Sequence, residues 1–194
     1  PSASTIQEFL TNTTTGESYE CLHESVDLGG LLGPTTYFGF TGASGDTTAI
    51  QVVSDFQLTL VSVEPESDPF DQFLPVGLES STPTITSDSI ELTNGGVDVA
   101  AAAWMDQQIS TQVGFSVEFT YTPSGDRAAD GIAMVLQTQG TDVLGQVGGS
   151  LGYVGIAGPT AAYQMNLDDL YTIGTNFVTE NTAYDYISTG GARD

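Results

Sequence analysis

Short runs in which apolar and polar residues alternate dominate the chain, and helical periodicity is almost nowhere. In residues 113–121, Val113, Phe115, Val117, Phe119 and Tyr121 alternate with Ser116, Glu118 and Thr120, as in a strand with one face in a core and the other in water. Gly131-Ile132-Ala133-Met134-Val135-Leu136 is continuously apolar, which predicts a strand covered on both faces. A glycine-studded loop and a second apolar strand are expected to follow it, up to residue 156. Residues 6–10 and 18–26 predict a hairpin around Asn12-Thr13-Thr14-Thr15-Gly16. Further strands are expected at 36–40, 49–63, 84–92 and 97–105, with a loop at 27–34 and a turn at 41–46. Residues 64–81, rich in proline and acid, predict a connector and not a strand. The pattern as a whole predicts an all-β sandwich of antiparallel sheets, and the length fits one large all-β domain or two small ones.

Charge narrows the partners. Two basic residues, Arg127 and Arg193, stand against 25 carboxylates, for a net charge of −23. Such a field repels phosphate backbones and anionic lipid, so no nucleic acid is expected as a partner. No apolar run approaches the roughly 18 residues of a membrane span, so no membrane insertion is expected either. The polar opening PSASTIQEFL does not read as a signal peptide. Cys21, the only cysteine, permits no internal disulfide.

Motif spacing carries more. Phe115-Ser116-Val117-Glu118-Phe119, Ala129-Asp130-Gly131-Ile132-Ala133-Met134 and Gly148-Gly149-Ser150-Leu151-Gly152 follow one another in the order and at the intervals of F-S-x-x-F, A-D-G-[IL]-A-F and G-G-x-L-G. Together they resemble the legume-type (L-type) lectin domain. Thr36 to Gly45, followed by residues 50–56, is similar to the segment that normally closes that domain, yet here it comes first. The resemblance therefore implies a single domain over residues 1–194, a concanavalin-like jelly-roll sandwich with permuted strand order, residues 64–81 joining the family's usual termini. A fragment cut out of frame from tandem repeats is the alternative arrangement.

The same resemblance implies chemistry. In the family, the Asp of A-D-G accepts hydrogen bonds from sugar hydroxyls and a glycine-loop amide donates one, roles that fall here to Asp130 and to Gly148 or Gly149. An aromatic ring stacks on the sugar, and Tyr171 is the candidate. Independently of the family, a sugar presents adjacent donors and acceptors beside a C–H face, so a fixed carboxylate, bare amides and one ring are suitable partners. The plainer alternative is that Asp130 caps a turn and the glycines serve tight loops.

The metal loop departs from the family. Its E-x-D ligands should lie in residues 163–168, where Gln164 and Asn166 stand in the nearest register. Neutral amides are poor ligands for a transition ion, which leaves room for one Ca2+ held by Asn166, Asp168 and Asp169. The alternative there is a solvated acidic turn. His23 and Cys21 cannot complete a triad or a zinc set and read as an ordinary strand edge, and Trp104 as core. Asn12-Thr13-Thr14 is a glycosylation acceptor motif in the hairpin turn. The expected function is a non-catalytic module of an extracellular or cell-surface protein that binds glycan or glycoprotein, with neighbouring modules as further partners. The competing reading is a structural or adhesive sandwich whose sugar site has decayed. Catalysis is not expected: a retaining glycosidase needs two carboxylates about 5 Å apart, and residues 163–168 contain no glutamate.

Overall fold

The computed structural model describes residues 4–60, 70–78, 81–125, 129–167 and 173–179. The strands are β1 (Ser4–Thr11), β2 (Ser18–Val26), β3 (Thr35–Ala43), β4 (Ile50–Leu60), β5 (Phe73–Gly77), β6 (Thr84–Ile85), β7 (Ser89–Asn94), β8 (Ala100–Ser110), β9 (Phe115–Ser124), β10 (Gly131–Gln137), β11 (Thr160–Leu167) and β12 (Ile173–Thr179). Their pairings are antiparallel. A six-stranded sheet runs β12-β11-β10-β3-β8-β5, a four-stranded sheet β6-β7-β4-β9, and β1 pairs β2 in a hairpin. The fold is the all-β sandwich that the alternation predicts.

The two faces of the six-stranded sheet are covered differently. Phe38 and Phe40 of β3, Ile132 and Leu136 of β10 and Tyr163 and Met165 of β11 belong to the core that also takes Val53 and Phe56 of β4 and Ile90 and Leu92 of β7. Phe38, Phe40, Phe56 and Phe73 lie with ring centroids 5.3 to 6.5 Å apart. Burying each such ring contributes about 1.5–3 kcal/mol. On the opposite face Trp104, Ala133, Val135 and Ala162 pack against Leu151, Tyr153, Val154 and Ile156 from the long connection between β10 and β11. Because β10 has a lid on each side, its apolar run shows no alternation. Trp104 is buried, as expected, and its Nε1–H donates to the Val143 carbonyl at 2.9 Å, fixing that connection to the sheet.

Three expectations are corrected. Within the stretch read as a connector, Phe73–Gly77 is a strand paired with β8. Pro75 and the acidic surroundings hid it, although proline is tolerated on an edge strand such as this one. Residues 151–156 are buried turns and not a second strand, since Leu151, Gly152 and Gly155 all take positive φ; the second strand is β11. The loop at 27–34 contains a short helix, α1 (Leu28–Leu32), started by Asp27, whose Oδ1 accepts from Gly30 N–H at 2.8 Å, and held by buried Leu28 and Leu32.

Candidate functional site

Asp130 stands at the entry of β10. Its N–H donates to the Ala43 carbonyl at 3.1 Å and its carbonyl accepts from Leu167 N–H at 2.9 Å, so β3 and β11 fix its backbone from either side. The Ala129–Asp130 peptide is cis. The next residue must be glycine: Gly131 has φ +130, and a Cβ there would lie 2.1 Å from the Met165 carbonyl oxygen.

The carboxyl group meets main chain. Gly45, in the loop after β3, donates a backbone hydrogen bond to it, while Oδ2 is buried with no hydrogen-bond partner. Side chains are missing just where they would cover that oxygen, since a Cβ on Gly45 would lie 3.5 Å from Oδ2 and one on Gly148 4.0 Å. Burial raises the Asp130 pKa above the usual carboxylate range, and the Gly45 hydrogen bond partly opposes the rise.

The loop carrying Gly45 is braced. Gly148 N–H donates to Ser44 O at 3.1 Å, which joins the glycine loop to it. Ser44 N–H donates to Val99 O at 2.9 Å, Asp98 N–H to Gly45 O at 3.1 Å, and Ser44 Oγ to Gly96 O at 2.7 Å. Buried Gln51 donates to Ala43 O at 2.9 Å and accepts from Tyr121 Oη at 2.9 Å, tying the loop's start to the four-stranded sheet. Asp130, Gly45 and Gly148 thus come from three chain segments onto one rigid corner. Gly149 follows Gly148 in the 3-10 turn Gly148–Ser150, half-buried.

Asn166 lies one strand away, paired with Gly131 across β10 and β11 and with Gly174 across β11 and β12. Its Oδ1 is buried and unpartnered, a hard oxygen available to a cation. Gln164 is not available in that way: it is buried and its Nε2 donates to Tyr153 Oη, a packing role under the β10–β11 connection. Tyr171, Asp168 and Asp169 lie outside the described residues. Among the described residues no group of three or more His, Cys, Asp or Glu is arranged to hold a metal ion.

Asn12 is exposed at the hairpin turn, where its Oδ1 accepts from Thr14 N–H and Thr15 N–H at 2.9 and 3.1 Å. His23 pairs with Glu20 at 3.0 Å on the exposed hairpin surface, and Cys21 is a free, exposed thiol. Gly45 is the site residue that residue patterns missed. The residues place it in a turn at 41–46, and only the β3–β10 pairing, Ala43 opposite Gly131, brings it to Asp130.

No family model and no solved structure matches the chain. Among the described residues no helix is long and apolar enough to cross a membrane.

Proposed function

We propose that the chain is a non-catalytic carbohydrate-binding module of the L-type lectin kind, belonging to an extracellular or cell-surface protein. The observation that carries this reading is the Asp130 Oδ2 atom, buried, unpartnered and covered by the side-chain-free Gly45 and Gly148. A buried carboxylate oxygen without a partner costs free energy that a donor from outside can recover. A sugar hydroxyl is such a donor, small enough to enter where the covering is glycine backbone, and the neighbouring amide of Gly149 offers a complementary donor, the Gly148 N–H being engaged by Ser44 O. Tyr171 supplies the stacking ring in this proposal, and calcium held by Asn166, Asp168 and Asp169 would brace the end of β11 beside the site.

The permuted jelly-roll arrangement belongs to the same reading. Of the segment similar to the family's closing one, residues 37–43 pair with β10 while residues 50–56 run in the four-stranded sheet, so the first of these stretches meets the Asp130 block in space although the two are far apart in the chain.

A glycan array, run with calcium and again with a chelator, tests the proposal. Saturable binding to at least one glycan is expected, with Asp130→Ala reducing it at least about tenfold, the worth of a hydrogen bond to a charged group. No binding to any glycan by the folded protein would favour the structural or adhesive reading.

A further inference from the structure

The β1–β2 hairpin is a separate two-stranded sheet seated on the core beside β11 and β12. Its outward residues on β1, Thr5, Gln7 and Phe9, are exposed. Its inward residues are Ile6 and Leu10 of β1 and Val26 of β2, packed against the cluster that includes Tyr163 and Met165 of β11, alongside Phe177 of β12. Between Ile6 and Leu10 the inward position is Glu8, a carboxyl group where the pattern calls for an apolar side chain.

One oxygen of this carboxyl accepts from Tyr163 Oη, and the other, Oε2, is buried with no hydrogen-bond partner. The seam therefore holds the neutral acid more easily than the anion. We propose that the hairpin is a pH-sensitive clasp, seated on β11 and β12 while Glu8 is protonated and loosened when Glu8 ionises. Loosening uncovers Tyr163, Met165 and Phe177, an apolar face that the hairpin otherwise shields.

The groups around Glu8 leave the anion uncompensated. From β11 it faces the Tyr163 hydroxyl. From β2 it faces Cys21, the extra residue of the bulge opposite Glu8 and Phe9, whose thiol is pushed up by burial and by the Glu8 charge. Glu24 shares the inward face of β2 but is exposed, as are Glu20 and His23. The described residues of β12 and α1 contain no ionisable side chain. Among these residues no cation neutralises Glu8.

Burial raises Glu8 from 4.5 to about 7. A freely solvated glutamate ionises near 4.5, so seating is most favourable below that pH. It weakens as the pH climbs from 4.5 towards 7, and above about 7 the contribution is gone.

Hydrogen exchange of the β1 and β2 amides between pH 5 and 8.5, corrected for intrinsic exchange, reads the clasp directly. Protection is expected to fall roughly tenfold across the range, one unit's worth for a half-buried group. Trp104, buried on the opposite face of the sheet, should keep constant emission throughout. Glu8→Gln should hold the protection flat, and Glu8→Met, which fills the seam without an amide to satisfy, should do the same. Flat protection in the unmodified protein would overturn the proposal, as would a persistent fall in both variants or a Trp104 emission change in step with the hairpin.

Discussion

Asp130 and Glu8 are the same chemistry in two settings. Each is a half-buried carboxyl whose ionisation burial opposes, and each has a buried oxygen without a hydrogen-bond partner. What differs is the cover. Gly45 and Gly148 lie over Asp130 as bare main chain, on a corner braced from three sides, whereas Glu8 projects from the inward face of the β1–β2 hairpin, with Tyr163 and Cys21 beside it. An orphan oxygen on a rigid corner is a place for a ligand. An orphan oxygen in a seam between two sheets sets the strength of the seam. For both groups the raised pKa makes acid stabilising, because the folded state keeps its proton to higher pH than the unfolded chain does. In the two proposals their working forms are opposite: the hairpin seats on the protonated acid, and a sugar would be held by the anion.

Backbone at the corner is where this contrast breaks most sharply. Gly131→Ala puts a Cβ 2.1 Å from the Met165 carbonyl at a φ of +130, in the middle of the six-stranded sheet. It should cost more than about 3 kcal/mol in urea unfolding and take the Asp130 corner with it, whereas Glu8→Gln should leave global unfolding at pH 5 within about 0.5 kcal/mol. If Gly131→Ala were tolerated, the rigid corner would be no property of the sheet.

A smaller effect sharpens the comparison. At Gly45 an added Cβ meets Asp130 Oδ2 at 3.5 Å and Gly148 Cα at 3.6 Å, ordinary contact distances, and φ lies outside the left-handed region. Gly45→Ala should therefore melt like the unmodified protein and bind glycan several-fold more weakly, roughly 1 kcal/mol, by covering the oxygen that the ligand must reach. Unchanged binding would move the ligand's approach away from this side of Asp130.

Much of the fold was legible, because alternation reports directly on a half-buried strand: Phe115, Val117 and Phe119 are half-buried while Ser116 and Glu118 are exposed. The β1–β2 hairpin followed from its turn residues in the same way. Leu151 to Ile156 misled because an apolar run records burial and not backbone shape, and the glycines among them bend it into turns. β5 was hidden by its own proline and by acidic neighbours. At the candidate site, Asp130 and Gly148 could be named from motif order, whereas Gly45 depends on β3 lying beside β10, which no local pattern encodes. Glu8 looked like an ordinary polar position in a short alternating run, since its significance depends on β11 lying beneath it.

The central claim is that ionised Asp130 receives a sugar hydroxyl. Calorimetric titration of the best glycan from the array, against the unmodified protein and Asp130→Asn over a series of pH values, tests it most directly. The unmodified protein should bind most tightly at neutral pH and lose affinity on acidification, starting at a higher pH than a solvated aspartate would give, because burial raises this carboxyl. Asp130→Asn should bind at least about tenfold more weakly at neutral pH and show little change on acidification. Equal affinity of the two proteins, or the same pH profile in both, would contradict the account.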